Sequence, residues 1–158
     1  MNKIIITGGS GFIGSNLIKF LLKKNFSIIN IDKIAYSSGS YNLLNVKNKN
    51  YKFIKLDINN RKKLSLIFNK YKPTCVFNLA AETHVDRSID DPSSFIASNI
   101  LGTYNLLEAI RAFKKKNKKD IKLVHVSTDE VYGDLKLNSR SDENHSINPS
   151  SPYSASKA

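Results

Sequence analysis

The apolar run Lys3-Ile4-Ile5-Ile6 leads directly into Thr7-Gly8-Gly9-Ser10-Gly11-Phe12-Ile13-Gly14, and this junction constrains the fold more than any other stretch. Three consecutive isoleucines call for an extended segment buried on both faces. From Phe12 onward the periodicity turns helical, with Ile13, Leu17, Phe20 and Leu21 on one face. The glycines between fit G-x-G-x-x-G at Gly9, Gly11 and Gly14, in the strand-then-helix context that the motif requires. Without Cβ atoms such a turn is tight and its backbone can approach a ligand. The helix that follows aims unpaired N–H groups and its positive dipole end at a pyrophosphate.

The remaining chain repeats the strand-and-helix alternation. Phe26 to Asp32 reads as a second strand ending in a carboxylate. Asp32 stands 18 positions past Gly14, where an acidic side chain accepts hydrogen bonds from adenosine ribose hydroxyls and repels a 2′-phosphate, so NAD is expected over NADP. Residues 33–50, rich in Ser, Asn and Gly with a short apolar patch at Leu43-Leu44, read as a long loop with one helical turn. Tyr51 to Leu56 is a third strand with Asp57-Ile58 at its carboxyl end, followed by a helix at 61–70 with Leu64, Ile67 and Phe68 inward. Pro73 turns the chain into a fourth strand, Cys75 to Leu79. Asp90-Asp91-Pro92 opens a helix running to about residue 116, Ile121 to Val126 is a fifth strand, and Ser151-Pro152 opens a last helix. The pattern predicts an α/β fold: a doubly wound, mostly parallel sheet of order 3-2-1-4-5, a Rossmann-like NAD-binding domain over residues 1–158. A final helix of six residues is too short to cover a sheet face, so the domain is expected to be incomplete at its C-terminus.

The formal net charge of +12 does not point to nucleic acid, because the lysines are scattered except for the run Lys114 to Lys119, which falls where a helix C-terminus favours cations. Heavy use of lysine, asparagine and isoleucine reads as a general bias. No apolar run is long enough for a bilayer and the N-terminus enters a strand at once, so a cytoplasmic protein with no membrane partner is expected. A lone cysteine, Cys75, allows no internal disulfide and no cysteine-based metal cluster, and is expected to be a buried strand residue; no metal is expected.

Ligands in such sheets gather beyond the carboxyl ends of the strands. Those ends carry the glycine turn, Asp32, Asp57-Ile58, Ala80-Ala81-Glu82-Thr83-His84 and Ser127-Thr128-Asp129-Glu130. Tyr153 and Lys157, spaced i, i+4, share one face of the last helix. A tyrosine with its usual pKa of ~10 is a poor base, but a neighbouring ammonium and a positively charged nicotinamide would stabilise its phenolate.

T-G-G-x-G-F-I-G, the strand-end Asp32 and Y-x-x-x-K together resemble the extended short-chain dehydrogenase/reductase family. Within it, Leu79 to Ile89, Ser127-Thr128-Asp129-Glu130-Val131-Tyr132-Gly133 and Pro149 to Ala158 resemble the nucleotide-sugar 4,6-dehydratases that act on dTDP-glucose. The resemblance implies oxidation at C4 of the hexose with Tyr153 as base and Lys157 beside it. Glu130 would then take the C5 proton while Asp129 donates to the departing C6 hydroxyl. Thr128 would hydrogen-bond the sugar at C4, and Thr83 would touch substrate or cofactor. It further implies NAD contacts at Gly8, Gly11, Phe12, Ile13 and Gly14, at Asp32, Lys33, Ile34 and Ala35, at Asp57 and Ile58, and at Leu79, Ala80, Ala81 and Ser98. His84, Asp86 and Arg87 read as structural, and His125 and His145 receive no role. The family continues beyond the matching region into a substrate domain, and its members pair as homodimers through the helices starting near residues 92 and 152. An epimerase, a dehydratase for another nucleotide sugar, or a non-catalytic NAD-binding fragment are the alternative readings.

Overall fold

In the computed structural model, which describes residues 2–35, 38–136 and 138–158, the alternating signals resolve into five strands. These are β1 (Lys3–Thr7), β2 (Ser27–Asp32), β3 (Tyr51–Lys55), β4 (Cys75–Asn78) and β5 (Lys122–His125). All pair in parallel in the order β3-β2-β1-β4-β5, as expected. The helices are α1 (Phe12–Lys23), α2 (Arg61–Tyr71), α3 (Val85–Asp90), α4 (Ser93–Phe95), α5 (Gly102–Asn117) and α6 (Pro152–Lys157). Short 3-10 turns occupy Ser40–Leu43 and Asp129–Tyr132. The helical turn expected in the loop 33–50 is thus present; Tyr36 and Ser37 of that loop lie outside the described residues.

Alternation along β1 divides the core. Ile5 joins Phe68 of α2 and Leu106, Ile110 and Phe113 of α5 on one face, while Ile4 and Ile6 meet Ile18, Leu21 and Leu22 of α1 on the other. Both faces of β1 are buried, which is why its three isoleucines carry no polar alternation. Asn78 ties the centre of the sheet together by side chain. It accepts from the Thr7 hydroxyl and donates to Thr103 Oγ1 at 3.4 Å and to His125 Nδ1 at 2.9 Å, linking β1, β4, β5 and α5. The contact to Asn78 makes Nδ1 the acceptor, so the proton of the neutral ring sits on Nε2.

Some expectations need correction. The apolar face of α1 is Gly14, Ile18, Leu21 and Leu22; Ile13 and Phe20 are exposed, because the helix crosses the sheet one position further round than its apolar residues alone indicate. The segment 85–90, read only as part of a strand-end motif, forms α3. Asp90 closes that helix, and it is Asp91 that prepares the next one, its Oδ1 accepting the Ser93 N–H at 3.0 Å. The long helix is not uniform: residues Ile96–Leu101 between α4 and α5 are π-helical, a widening common at functional sites. Cys75, at the first position of β4, is only partly buried.

This packing sets two measurable outcomes. Leu64 is fully buried under the sheet whereas Leu66, two positions on, is 69% exposed. Leu64→Ala is expected to lower unfolding free energy by about 2–5 kcal/mol, and Leu66→Ala by less than about 0.5 kcal/mol, in denaturant titrations. Partial burial first, and the charge of Lys157 second, hold the His125 imidazolium below its ordinary pKa. As pH falls through the ordinary histidine range of ~6.5, the unfolded chain therefore takes up a proton that the folded one refuses, and stability drops. Thermal melts from pH 7 to 5 should show a smaller loss in His125→Gln than in the wild type; an equal loss assigns the acid sensitivity elsewhere.

Candidate active site

The glycine turn is built by contacts that only glycine permits. Gly8 has φ +69°, and a Cβ there would stand 2.6 Å from the backbone N of Ala80 in the loop after β4. At Gly14 a Cβ would meet Gly8 O at 2.5 Å, so α1 begins flush against the turn. Gly11 is different: its absent Cβ meets nothing closer than Gly8 O at 3.4 Å, and the residue lines the open cleft. Gly11 is the N-cap of α1 and offers no side-chain cap, whereas α2 and α6 are capped by Asn60 and Ser151. The first-turn N–H groups of α1 are left for a ligand at the cleft.

One cleft at the carboxyl edge of the sheet collects most of the expected site. Gly8, Gly11, Ile13 and Gly14 line it at the turn; Asp32, Lys33, Ala35, Asp57 and Ile58 line one end; Leu79, Ala80, Ala81, Thr83, Ser98, Tyr153 and Lys157 line the other. Phe12 is 82% exposed and does not line the cleft. Ile34 is not a wall residue either; it holds φ +57°, a strained value for a β-branched side chain, with its N–H on Asp32 Oδ1 at 2.7 Å. The other oxygen of Asp32 accepts the Ser10 N–H at 2.9 Å, and the carboxylate is buried.

The far end is organised by side chains that sequence reading passed over. Asn99, on the π-helical segment, bonds both the backbone N and O of Glu82 at 2.9 Å and donates to Ser156 of α6 at 2.8 Å. Ser88 of α3 accepts the Tyr153 N–H at 3.1 Å, and Ser151 with Ser154 forms a capping box. A short helix is thereby fixed at three points. Asn99 and Ser88 gave no local signal, since their partners lie 57 and 65 residues away; a buried polar residue on an otherwise apolar helix face was the only available clue.

Tyr153 and Lys157 do share one face of α6, and both are buried. Burial raises the Tyr153 pKa, its bond with the Thr128 side chain lowers it, and the charges of Glu130 and Asp129 raise it further. Lys157 spends its ammonium on the Val126 carbonyl at 2.6 Å, and burial lowers its pKa. The expected phenolate stabilisation by lysine is therefore not what dominates at Tyr153 here. Thr128, the N-cap of the 3-10 turn Asp129–Tyr132, holds Asp129 and Glu130 near enough for their charges to act on Tyr153, but none of Thr128, Asp129 and Glu130 lines the cleft itself. Both carboxylates are exposed, with Thr128 Oγ1 accepting the Glu130 N–H at 3.4 Å. Such a pair can pass protons to and from a molecule lying between it and Tyr153. His84, expected to be structural, is exposed at the start of α3 rather than a core residue, and His145 stacks edge-on against Tyr132.

The family model described as GDP-mannose 4,6 dehydratase matches residues 5–158. The dTDP-glucose 4,6-dehydratase of Haemophilus influenzae is 46% identical over 165 residues, covering 100% of this chain and 49% of that protein. Its counterpart in Neisseria meningitidis serogroup B is 44% identical, covering 100% and 46%. Among solved structures, DesIV, a dTDP-glucose 4,6-dehydratase from Streptomyces venezuelae with NAD and TYD bound, superposes with a TM-score of 0.88 at 34% identity, over 98% of this chain and 48% of that one. The UDP-glucose 4-epimerase of Thermus thermophilus with NAD gives 0.86 at 32% identity, over 98% and 47%. The chain spans about half the length of the curated relatives it matches. It carries the NAD-site fold of these enzymes, and it belongs to the GDP-mannose 4,6 dehydratase family.

Proposed function

We propose that the chain is the NAD-binding part of a cytoplasmic dTDP-glucose 4,6-dehydratase, a hydro-lyase converting dTDP-glucose to dTDP-4-keto-6-deoxyglucose. The observation that carries this reading is Asp129 and Glu130 side by side on one 3-10 turn, close enough to Tyr153 for both charges to act on its phenol. The curated relatives named above are dTDP-glucose 4,6-dehydratases, which supports the same substrate. The fold's residues suit the cofactor: the Gly11 cradle is open where a pyrophosphate needs space, and the α1 N-terminus is uncapped. Gly8, Gly11, Ile13 and Gly14 would hold the pyrophosphate with Phe12 offering only its backbone N–H, Asp32, Lys33 and Ala35 would border the adenosine ribose with Ile34 behind them, and Asp57-Ile58 the adenine. Leu79, Ala80, Ala81, Thr83 and Ser98 would border the rest.

When bound, NAD supplies reversible hydride acceptance with no net redox change. The chain's own residues move the protons. Tyr153 takes the C4 hydroxyl proton, with Thr128 polarising that oxygen, while Lys157 sits on the same helix face, held by the Val126 carbonyl. The C4 ketone acidifies C5–H, which Glu130 would remove while Asp129 delivers a proton to the leaving C6 hydroxyl; Glu130 would return its proton to C5 as C6 is reduced, and the proton held by Tyr153 would restore Asp129. An epimerase needs no adjacent acid–base pair for C5 and C6, so the pair favours dehydration over the epimerisation named for the Thermus neighbour. Residues 1–158 form one nucleotide-binding unit in this reading. The protein is expected to pair as a homodimer: Ile96, Ile100, Tyr104 and Leu107 each expose 46–52% along one side of the long helix, an apolar strip suited to a second copy.

Calorimetry of this chain with NAD should show binding, and absence of binding overturns the cofactor reading. In a turnover-competent protein carrying this sequence, Glu130→Gln should abolish deuterium incorporation at C5 while leaving hydride transfer detectable. Persistent incorporation means that another group is the C5 base. Leu107→Glu should raise the concentration at which dimers form in sedimentation equilibrium by about 10-fold or more, since it buries a charge in an apolar contact; an unchanged profile moves the dimer contact elsewhere.

A further inference from the structure

Lys33 of the cleft wall is paired with Glu82, an acidic residue behind that wall which the reading above does not use. Lys33, directly after the ribose-side Asp32, reaches across the cleft: its Nζ lies 3.0 Å from Glu82 Oε1 and donates to Ser98 Oγ at 2.9 Å. Glu82 exposes only 9% of its side chain, Lys33 36%. The backbone of Glu82 is fixed, because buried Asn99 bonds both its N–H and its carbonyl, and the carboxylate beside it is almost closed off from solvent. A buried carboxylate stripped of its cation is costly, so the lysine is held against Glu82 and Ser98.

That placement has a consequence for cofactor choice. Dinucleotide sites take a 2′-phosphate when a basic side chain near the strand-end acid can neutralise it. Lys33 is the basic residue in that position, one step from Asp32 and lining the same end of the cleft. We propose that Glu82 is a specificity-determining residue: by sequestering Lys33 against Ser98, it withholds the counter-charge that a 2′-phosphate would need. Selection against NADP then has two parts, repulsion by Asp32 and removal of the lysine by Glu82. The inference rests on the cofactor reading and adds to it a residue that touches neither ribose nor phosphate.

The test is binding rather than turnover. Dissociation constants for NAD and NADP are measured by calorimetry for the wild type, Glu82→Gln, and Glu82→Gln combined with Lys33→Met, with thermal melts confirming that each is folded. Glutamine keeps the size but removes the charge that holds Lys33, and the Asn99 bonds go to the backbone of residue 82, which the substitution leaves in place. The ratio of the NADP to the NAD dissociation constant should fall by about 5-fold in Glu82→Gln, the scale of one partly exposed charge pair. It should return toward the wild-type ratio in the double variant, and the fall should shrink at high salt. If NAD binds all three proteins and the ratio does not move, Glu82 has no part in selection and the assignment is overturned. If the ratio falls equally in the double variant, the released charge is not that of Lys33 and the assignment is likewise overturned. Failure of the wild type to bind NAD is a different result, and removes the cofactor reading together with this one.

Discussion

Ser10, at the apex of the glycine turn, is held from three directions. Its N–H goes to Asp32 Oδ2 at 2.9 Å, its hydroxyl accepts from Asn30 at 3.3 Å, and its carbonyl accepts from Asn42 at 2.9 Å. Gly9 beside it packs so closely on Asn30 that a Cβ would fall 2.2 Å from Oδ1. The turn is therefore not a flexible loop that closes on a ligand. It is fixed to the end of β2 and to the 3-10 turn Ser40–Leu43, and β1, α1 and the loop after β4 take their positions from it. The energetic cost is visible at Asn30, whose Oδ1 is buried without a hydrogen-bond partner among the described residues, and at Ile34 with its positive φ. Strain of this sort persists only where surrounding contacts over-determine it.

A second brace serves the opposite end. Ser88, Asn99 and Ser151 hold α6, a helix of six residues that on propensity alone could not persist. Its start is capped from outside by Ser88 and from within by Ser151, and Asn99 joins its Ser156 to the same residue whose carboxylate holds Lys33. The two ends of the cleft are thus coupled through one buried asparagine. A disturbance of α6 would be felt at Glu82, and so at Lys33.

What could be read from the sequence divides along the same physical line. Strand order, the start of α1, the inward face of α2 and the Asp32 position were legible because hydrophobic period and glycine spacing are local properties. The rotation of α1 was not, since Ile13 and Phe20 are apolar yet exposed, and which apolar residues meet the sheet is decided by the turn that launches the helix. The π-helical widening, α3 and the clamps by Ser88 and Asn99 depend on partners far along the chain and leave no periodic trace. Tyr153 and Lys157 were placed on one face by spacing alone. Spacing could not show that Val126 O would take the lysine's ammonium, because that bond depends on where β5 ends.

The cleft is unevenly finished. Its turn and ribose side are buried, bonded and rigid before any ligand arrives, whereas Asp129 and Glu130 stand in solvent on a turn after the partly exposed β5. For one of two adjacent carboxyls to act as acid and the other as base, their environments must differ, and solvent shared by both works against that difference. The carboxylates also raise the Tyr153 pKa, which opposes its use as a base. Both problems have one physical remedy. In the dehydratase reading proposed above, a sugar over the turn would exclude water from the pair unequally, and a cation beside Tyr153 would offset the carboxylate field. Binding and activation are then the same event: the fixed half of the site sets where the ligand lies, and the ligand completes the electrostatics of the other half.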